Sequence, residues 1–161
     1  MIFVTVGGGP FYGFNRLVEA VDRIAPGLEE EVIIQKGCST YKPMHARCYD
    51  YLPYRTFIDY YKSARLVIGH AGAGTTLLSR LFNKPFIVVP RSGRLNEIFD
   101  EHQMQMGEKL SGIEGIRVVY DIAGLESAIR ESLDTVYPKK FPRSKGIEAM
   151  DVLIKDFMKN V

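Results

Sequence analysis

The sequence has little of what marks several common protein classes. Two cysteines, Cys38 and Cys48, occur in 161 residues. Their spacing fits no zinc site, and no second Cys/His pair stands nearby. In a reducing compartment they are not expected to form a disulfide either. No apolar run approaches the ~18 residues that cross a bilayer. The opening stretch MIFVTVGGG lacks the basic start and small-residue cleavage site of a secretory signal. A cytoplasmic location is the expectation. The net charge of +2 is too small a bias to point to nucleic acid. No GxxxxGK[ST] is present, which excludes a P-loop. The dinucleotide fingerprint is missing too. Gly7-Gly8-Gly9-Pro10-Phe11-Tyr12-Gly13 is not G-x-G-x-x-G, and the second strand ends in Gln35 rather than an acidic residue that would hold the ribose of NAD. A small nucleotide-binding oxidoreductase is thereby disfavoured. No internal repeat or low-complexity run is found.

What is present is an ordinary globular composition, 46% hydrophobic and 25% charged. It is enough for one domain over residues 1–161 with a full core. Short β-rich runs alternate with helical spacing. Ile2–Val6 leads through a glycine loop to a helix over Phe14–Ala25. Glu31–Gln35 is a second strand, and Cys48–Leu52 reads as a short third. Helix Arg55–Ala64 precedes strand Arg65–Gly69. Gly72, Ala73 and Gly74 open a helix to about Phe82. Strand Pro85–Pro90 is followed by a polar loop, then a helix from an Asp100 N-cap to about Leu110. Strand Ile116–Tyr120, helix Ala123–Leu133 and an amphipathic helix Ser144–Met158 complete the pattern. It predicts an α/β fold: a doubly wound, Rossmann-like parallel sheet with helices on both faces.

In such sheets, ligands sit beyond the carboxyl ends of the strands, where helix N-termini offer N–H groups to anions. Two polar loops fall there, in the stretch Leu66–Leu110. Gly74, Thr75 and Thr76 at a helix start suit a diphosphate. Tight strand–helix packing is the alternative for the glycines.

The segments GHAGAGTT, KPFIVVP and DEHQMQMGEKL resemble the C-terminal half of the MurG-like glycosyltransferases of family 28. The similarity extends to IFVTVGGGPF and VIIQKG and covers about residues 1–135. It is closer to the small single-domain members, namely the soluble subunit of the eukaryotic UDP-GlcNAc transferase acting on lipid-linked GlcNAc and the PssE-like proteins of bacterial polysaccharide synthesis. Val89-Pro90-Arg91, Leu95, Glu97, Asp100, His102 and Gln103 favour the PssE-like branch.

The resemblance implies the C-terminal half of a GT-B fold, holding a UDP-sugar. A membrane-associated partner subunit would supply the acceptor half and the general base. The acceptor would be a lipid-linked sugar. Transfer would invert the anomeric centre without a bound metal or other cofactor. Gly8 and Gly9 would approach the diphosphate, or simply form a tight turn. Gly72, Ala73, Gly74, Thr75 and Thr76 would hold it. Gln35 would face the base. His70 would meet a phosphate or the partner, or be structural. Arg91, in a loop with Arg94, would offset charge on the leaving group, or be solvated. Glu97 would contact the sugar or cap a turn, and His102 and Gln103 would bind sugar hydroxyls. Arg91, Glu97 and His102 make up the expected catalytic set. Family members commonly hold the ribose with a glutamate where Leu78 stands. That departure favours a second possibility, a non-catalytic accessory subunit. Lys139, Lys140, Arg143 and Lys145 form a basic patch, read as solvated or as touching anionic lipid.

Overall fold

The computed structural model describes residues 1–9 and 11–142. Six parallel strands form one sheet in the order β3-β2-β1-β4-β5-β6. They are β1 (Ile2–Thr5), β2 (Val32–Gln35), β3 (Arg47–Tyr49), β4 (Leu66–Gly69), β5 (Phe86–Val88) and β6 (Ile116–Val118). Every residue of β1, β2, β4 and β5 is buried. Strands covered on both faces are apolar throughout instead of alternating, which is why these runs were readable.

Their side chains still alternate between two cores. Ile2, Val4, Ile34 and Ile68 meet α1 (Asn15–Ile24) and α5 (Leu125–Asp134), which add Leu17, Val18, Val21, Leu125 and Ile129. Phe3, Ile33, Val67 and Val88 face α2 (Tyr54–Ser63), α3 (Ala73–Leu81) and α4 (His102–Leu110) on the other side. The second core is aromatic. Phe3 packs against Phe57 at 5.3 Å and against Tyr61 at 5.9 Å, edge-on in both cases. Burying a ring such as Phe3 contributes about 2 to 3 kcal/mol. The fully buried Tyr61 donates its hydroxyl to the Thr75 carbonyl at 2.7 Å, which fixes the start of α3 on α2.

The register sets Thr5 beside Gln35 and Gly69, so three central strands end level. β1 runs toward α1 on one face and β4 toward α3 on the other. The strand order reverses between them, and there the two loops part into a crevice.

Several boundaries differ from expectation. The third strand is Arg47–Tyr49, not Cys48–Leu52. Leu52 leaves the sheet because its N–H donates to the Gln35 side chain at 3.1 Å. The α4 helix starts at His102 with Glu101 as N-cap, so Asp100 stands one residue earlier than an N-cap would. Lys139 and Lys140 are exposed. Arg143, Lys145 and the expected helix Ser144–Met158 lie outside the described residues.

Asp22 on α1 was not anticipated. Its buried carboxylate accepts the N–H groups of Met44, His45 and Ala46 and the Tyr41 hydroxyl, at 2.8–3.1 Å. Burial alone would raise its pKa, but these four donors outweigh it and the net shift is downward.

Candidate functional site

The crevice at the strand reversal has a volume of about 350 Å³, and its lining includes Thr5, Gly8, Gln35, His70, Gly74 and Leu78. One wall is the start of α3. Gly72 is its N-cap, in extended conformation, with no side-chain cap. The Thr76 N–H and hydroxyl both turn back to the Gly72 carbonyl, at 3.0 and 2.9 Å. The N–H groups of Ala73, Gly74 and Thr75 have no acceptor among the described residues. Three donors and the positive end of a helix thus face an open crevice, an arrangement suited to an anion. A Cβ at Gly8 or Gly74 would meet no heavy atom within 4 Å, so both expose bare backbone to that space.

Gly7 and Gly72 serve differently. The His70 ring lies between them. A Cβ on Gly7 would stand 2.7 Å from His70 Cε1, and one on Gly72 would stand 2.8 Å from the same atom and nearer still to Nε2. Gly7 also has φ +83°. These two glycines make room for the imidazole. Burial, reinforced by the charge of Arg91 and opposed by the Thr5 carbonyl, lowers the His70 pKa to about 4. The ring is therefore neutral at pH 7. Its Nδ1 is buried without a hydrogen-bond partner among the described residues.

Arg91 is not the solvated loop residue that its surroundings in the sequence allowed. It is 7% exposed. Its Nη2 donates to the Val6 carbonyl at 2.8 Å, and the guanidinium lies 5.2 Å over the Phe14 ring. Nε has no partner. Burial lowers the arginine's pKa, against the opposing pull of Cys38 and Glu97, yet a guanidinium stays charged. The Arg91 backbone N–H donates to Gln103 Oε1 at 3.1 Å, which links the β5 loop to α4.

Glu97 takes the turn-closing arrangement. Arg16 Nε and Nη2 donate to its two carboxylate oxygens at 2.7 and 2.9 Å, and the Ser92 N–H donates at 3.1 Å. Arg16 also reaches the Pro90 carbonyl at 3.0 Å. A fork-to-fork pair with a carboxylate is the stronger kind of ion pair. It clamps the 91–97 loop onto α1. Arg16 had no signal in the sequence, because its partner is 81 residues away.

The structure thus gathers Gly8, Gln35, His70, Gly72, Ala73, Gly74 and Thr75 around one crevice. Gln35 accepts the Leu52 N–H there and so anchors the crevice rim. Gly9 is exposed on the first loop, where its carbonyl accepts from Cys38 Sγ at 3.5 Å. Glu97 lines a separate hollow of about 670 Å³ over α1, with Phe11, Arg16 and Leu95 among its neighbours. His102 is exposed at the start of α4, paired with Asp100. Phe57 and Thr5 line the crevice without having been singled out. Leu78 lies in it where a ribose-binding carboxylate was looked for. Among the described residues, no group of three His, Cys, Asp or Glu is placed to hold a metal ion.

Residues 1–156 match the glycosyltransferase family 28 C-terminal domain. The chain belongs to that family. Solved structures agree on the fold. The solution structure of ALG13 is 22% identical with a TM-score of 0.60, and the match covers 96% of this chain and 94% of that one. The glycotransferase of kitacinnamycin is 15% identical with a TM-score of 0.64, over 83% of this chain and 35% of that one. Methanocaldococcus jannaschii UDP-GlcNAc 2-epimerase, solved with UDP-GlcNAc and UDP, is 13% identical with a TM-score of 0.57, over 96% and 44%. The family 28 chain therefore spans 35% of the kitacinnamycin enzyme and 39% of the spinosyn forosaminyltransferase SpnP. It has the fold of the C-terminal half of a GT-B glycosyltransferase. No curated protein sequence matches it. Among the described residues, no helix is long and apolar enough to cross a membrane.

Proposed function

We propose that this family 28 domain is the donor-binding, catalytic subunit of a two-component inverting glycosyltransferase. It takes a sugar from a UDP-sugar and, with a membrane-associated partner, delivers it to a lipid-linked acceptor in glycan or polysaccharide synthesis. One observation carries the reading. The uncapped start of α3, with three N–H groups that have no acceptor among the described residues and bare Gly74, opens into the crevice at the strand reversal. That is where a diphosphate is held most cheaply in an open α/β sheet.

Each group has a role in this reading. The N–H groups of Ala73, Gly74 and Thr75 take the diphosphate and offset the charge that grows on UDP as it leaves. Neutral His70 adds a hydrogen bond at the same edge. Arg91 acts through the first glycine loop, because its guanidinium holds the Val6 carbonyl next to Gly7. Gln103 and His102 contact the sugar. The partner brings the acceptor hydroxyl and the base that deprotonates it. No metal is assigned to the reaction, and the protein acts at the cytoplasmic membrane face through its partner.

Leu78 supports a second reading, in which the chain keeps the fold but only assists its partner. No carboxylate stands at that place in the crevice to hold a ribose. Titration calorimetry with UDP and with NAD separates the possibilities. The donor reading predicts UDP binding and no NAD binding, with UDP-sugar affinity weakened in Gln103→Ala. Failure to bind any UDP-sugar, alone and with the partner, sinks it.

A further inference from the structure

Asp100 stands two residues before the first residue of α4. Its carboxylate reaches His102 twice: Oδ1 accepts the backbone N–H at 3.1 Å, and Oδ2 lies 2.5 Å from ring Nδ1. The carboxylate is tucked in and the imidazole projects, with the side chains 22% and 81% exposed. The hydrogen bond from the His102 ring, joined by the backbone bond, holds the Asp100 carboxyl below its usual range. At neutral pH it is a carboxylate and can only accept. An acceptor opposite Nδ1 keeps the proton of a neutral imidazole on that nitrogen and leaves Nε2 with a lone pair. The next residue is held too, since Gln103 accepts the backbone N–H of buried Arg91. The first turn of α4 is thus fixed on both sides of a ring whose outer face is free.

We propose that Asp100 is a positioning residue for donor recognition. It locks His102 as the Nδ1–H tautomer, so that Nε2 accepts a hydrogen bond from a hydroxyl of the transferred sugar. This rests on the donor-binding reading above. With the proton on Nε2 the ring can no longer accept from that hydroxyl, which must turn its own hydrogen away to bind there at all.

Asp100→Asn tests the pairing with little change of shape. The asparagine carbonyl can still take the His102 backbone N–H. Its NH2 then faces Nδ1 as a donor and drives the ring proton to Nε2, the logic by which an aspartate-to-asparagine change inverts a catalytic histidine. Ring ¹⁵N–¹H correlation spectra at about pH 8.5, where an ordinary imidazole is neutral, report the tautomer directly. Calorimetry with UDP, UDP-N-acetylglucosamine, UDP-glucose and UDP-galactose reports the consequence.

The expected result is Nδ1–H in the wild type and Nε2–H in the variant. Affinity for at least one UDP-sugar falls by about tenfold, the worth of one good hydrogen bond, while UDP affinity is unchanged. A wild-type Nε2–H tautomer overturns the proposal. So does an equal loss for UDP and UDP-sugars, which would make Asp100 a support of the fold, or unchanged affinity for all three sugars. A wild type that binds no UDP overturns the donor reading itself, and with it the sugar role, whatever the ring spectra show.

Discussion

Acid should destabilise this protein through His70 before its carboxylates come into play. The folded-state pKa of His70 is about 4, against 6.5 for an ordinary histidine. Between those values the unfolded chain takes up a proton that the folded chain refuses. The sign follows: the contribution is fully present above about pH 6.5, is lost as the pH falls toward about 4, and does not change further below that. A shift of this size corresponds to about 3 kcal/mol, a large part of a typical stability of about 5 to 15 kcal/mol. Asp22 and Glu30, whose pKa values are lowered from 3.8 and 4.5, lose their contributions lower on the scale. The His70 window is therefore separable. Urea unfolding followed from about pH 7.5 to pH 4.5 should show the wild type losing stability steeply. His70→Gln, which cannot titrate, should lose much less over the same range. Parallel profiles for the two proteins would refute the reasoning, because a buried neutral imidazole is its only source.

Other consequences follow from named contacts. Gly72→Ala pushes a methyl into the His70 ring and should cost about 1 to 3 kcal/mol by chemical denaturation. In a double-mutant cycle with His70→Ala, most of that cost should disappear; additivity within about 0.5 kcal/mol would contradict the sandwich. Glu97→Ala leaves the Arg16 guanidinium mostly buried and unpaired, and should lower stability by roughly 2 to 4 kcal/mol. A loss under about 1 kcal/mol would mean that the 91–97 loop is not held by this clamp. Asp22→Asn keeps the shape but turns one acceptor oxygen into a donor facing backbone N–H groups, so it should cost about 2 kcal/mol at neutral pH and less in acid.

The fold was largely legible because buried parallel strands leave continuous apolar runs between glycine and proline. IFVT, VIIQ and LVIG could hardly be anything else. The edge strand was misplaced because Arg47–Tyr49 is partly exposed and carries no such run, so only the hydrogen bonds define it. The site was legible as a motif but not as a mechanism of support. GHAGAGTT marks a glycine-rich helix start at a strand end, yet nothing in it says that Gly72, with Gly7 of the first loop, makes room for His70. Arg91 looked like a loop cation, and its burial under the first glycine loop depends on Val6 and Phe14, far away in the sequence. Arg16 and Asp22 were invisible for the same reason. Their partners lie 19 to 81 residues away, beyond any helical or strand period.

The central claim is that the open start of α3 binds the diphosphate of a UDP-sugar. Gly74 allows a clean test, since a Cβ there meets no heavy atom within 4 Å and projects into the crevice. Isothermal titration of UDP into the wild type and Gly74→Val should show binding in the first and a loss of at least about tenfold in the second, with the unfolding midpoint essentially unchanged. Equal UDP affinity in the two folded proteins would contradict the account.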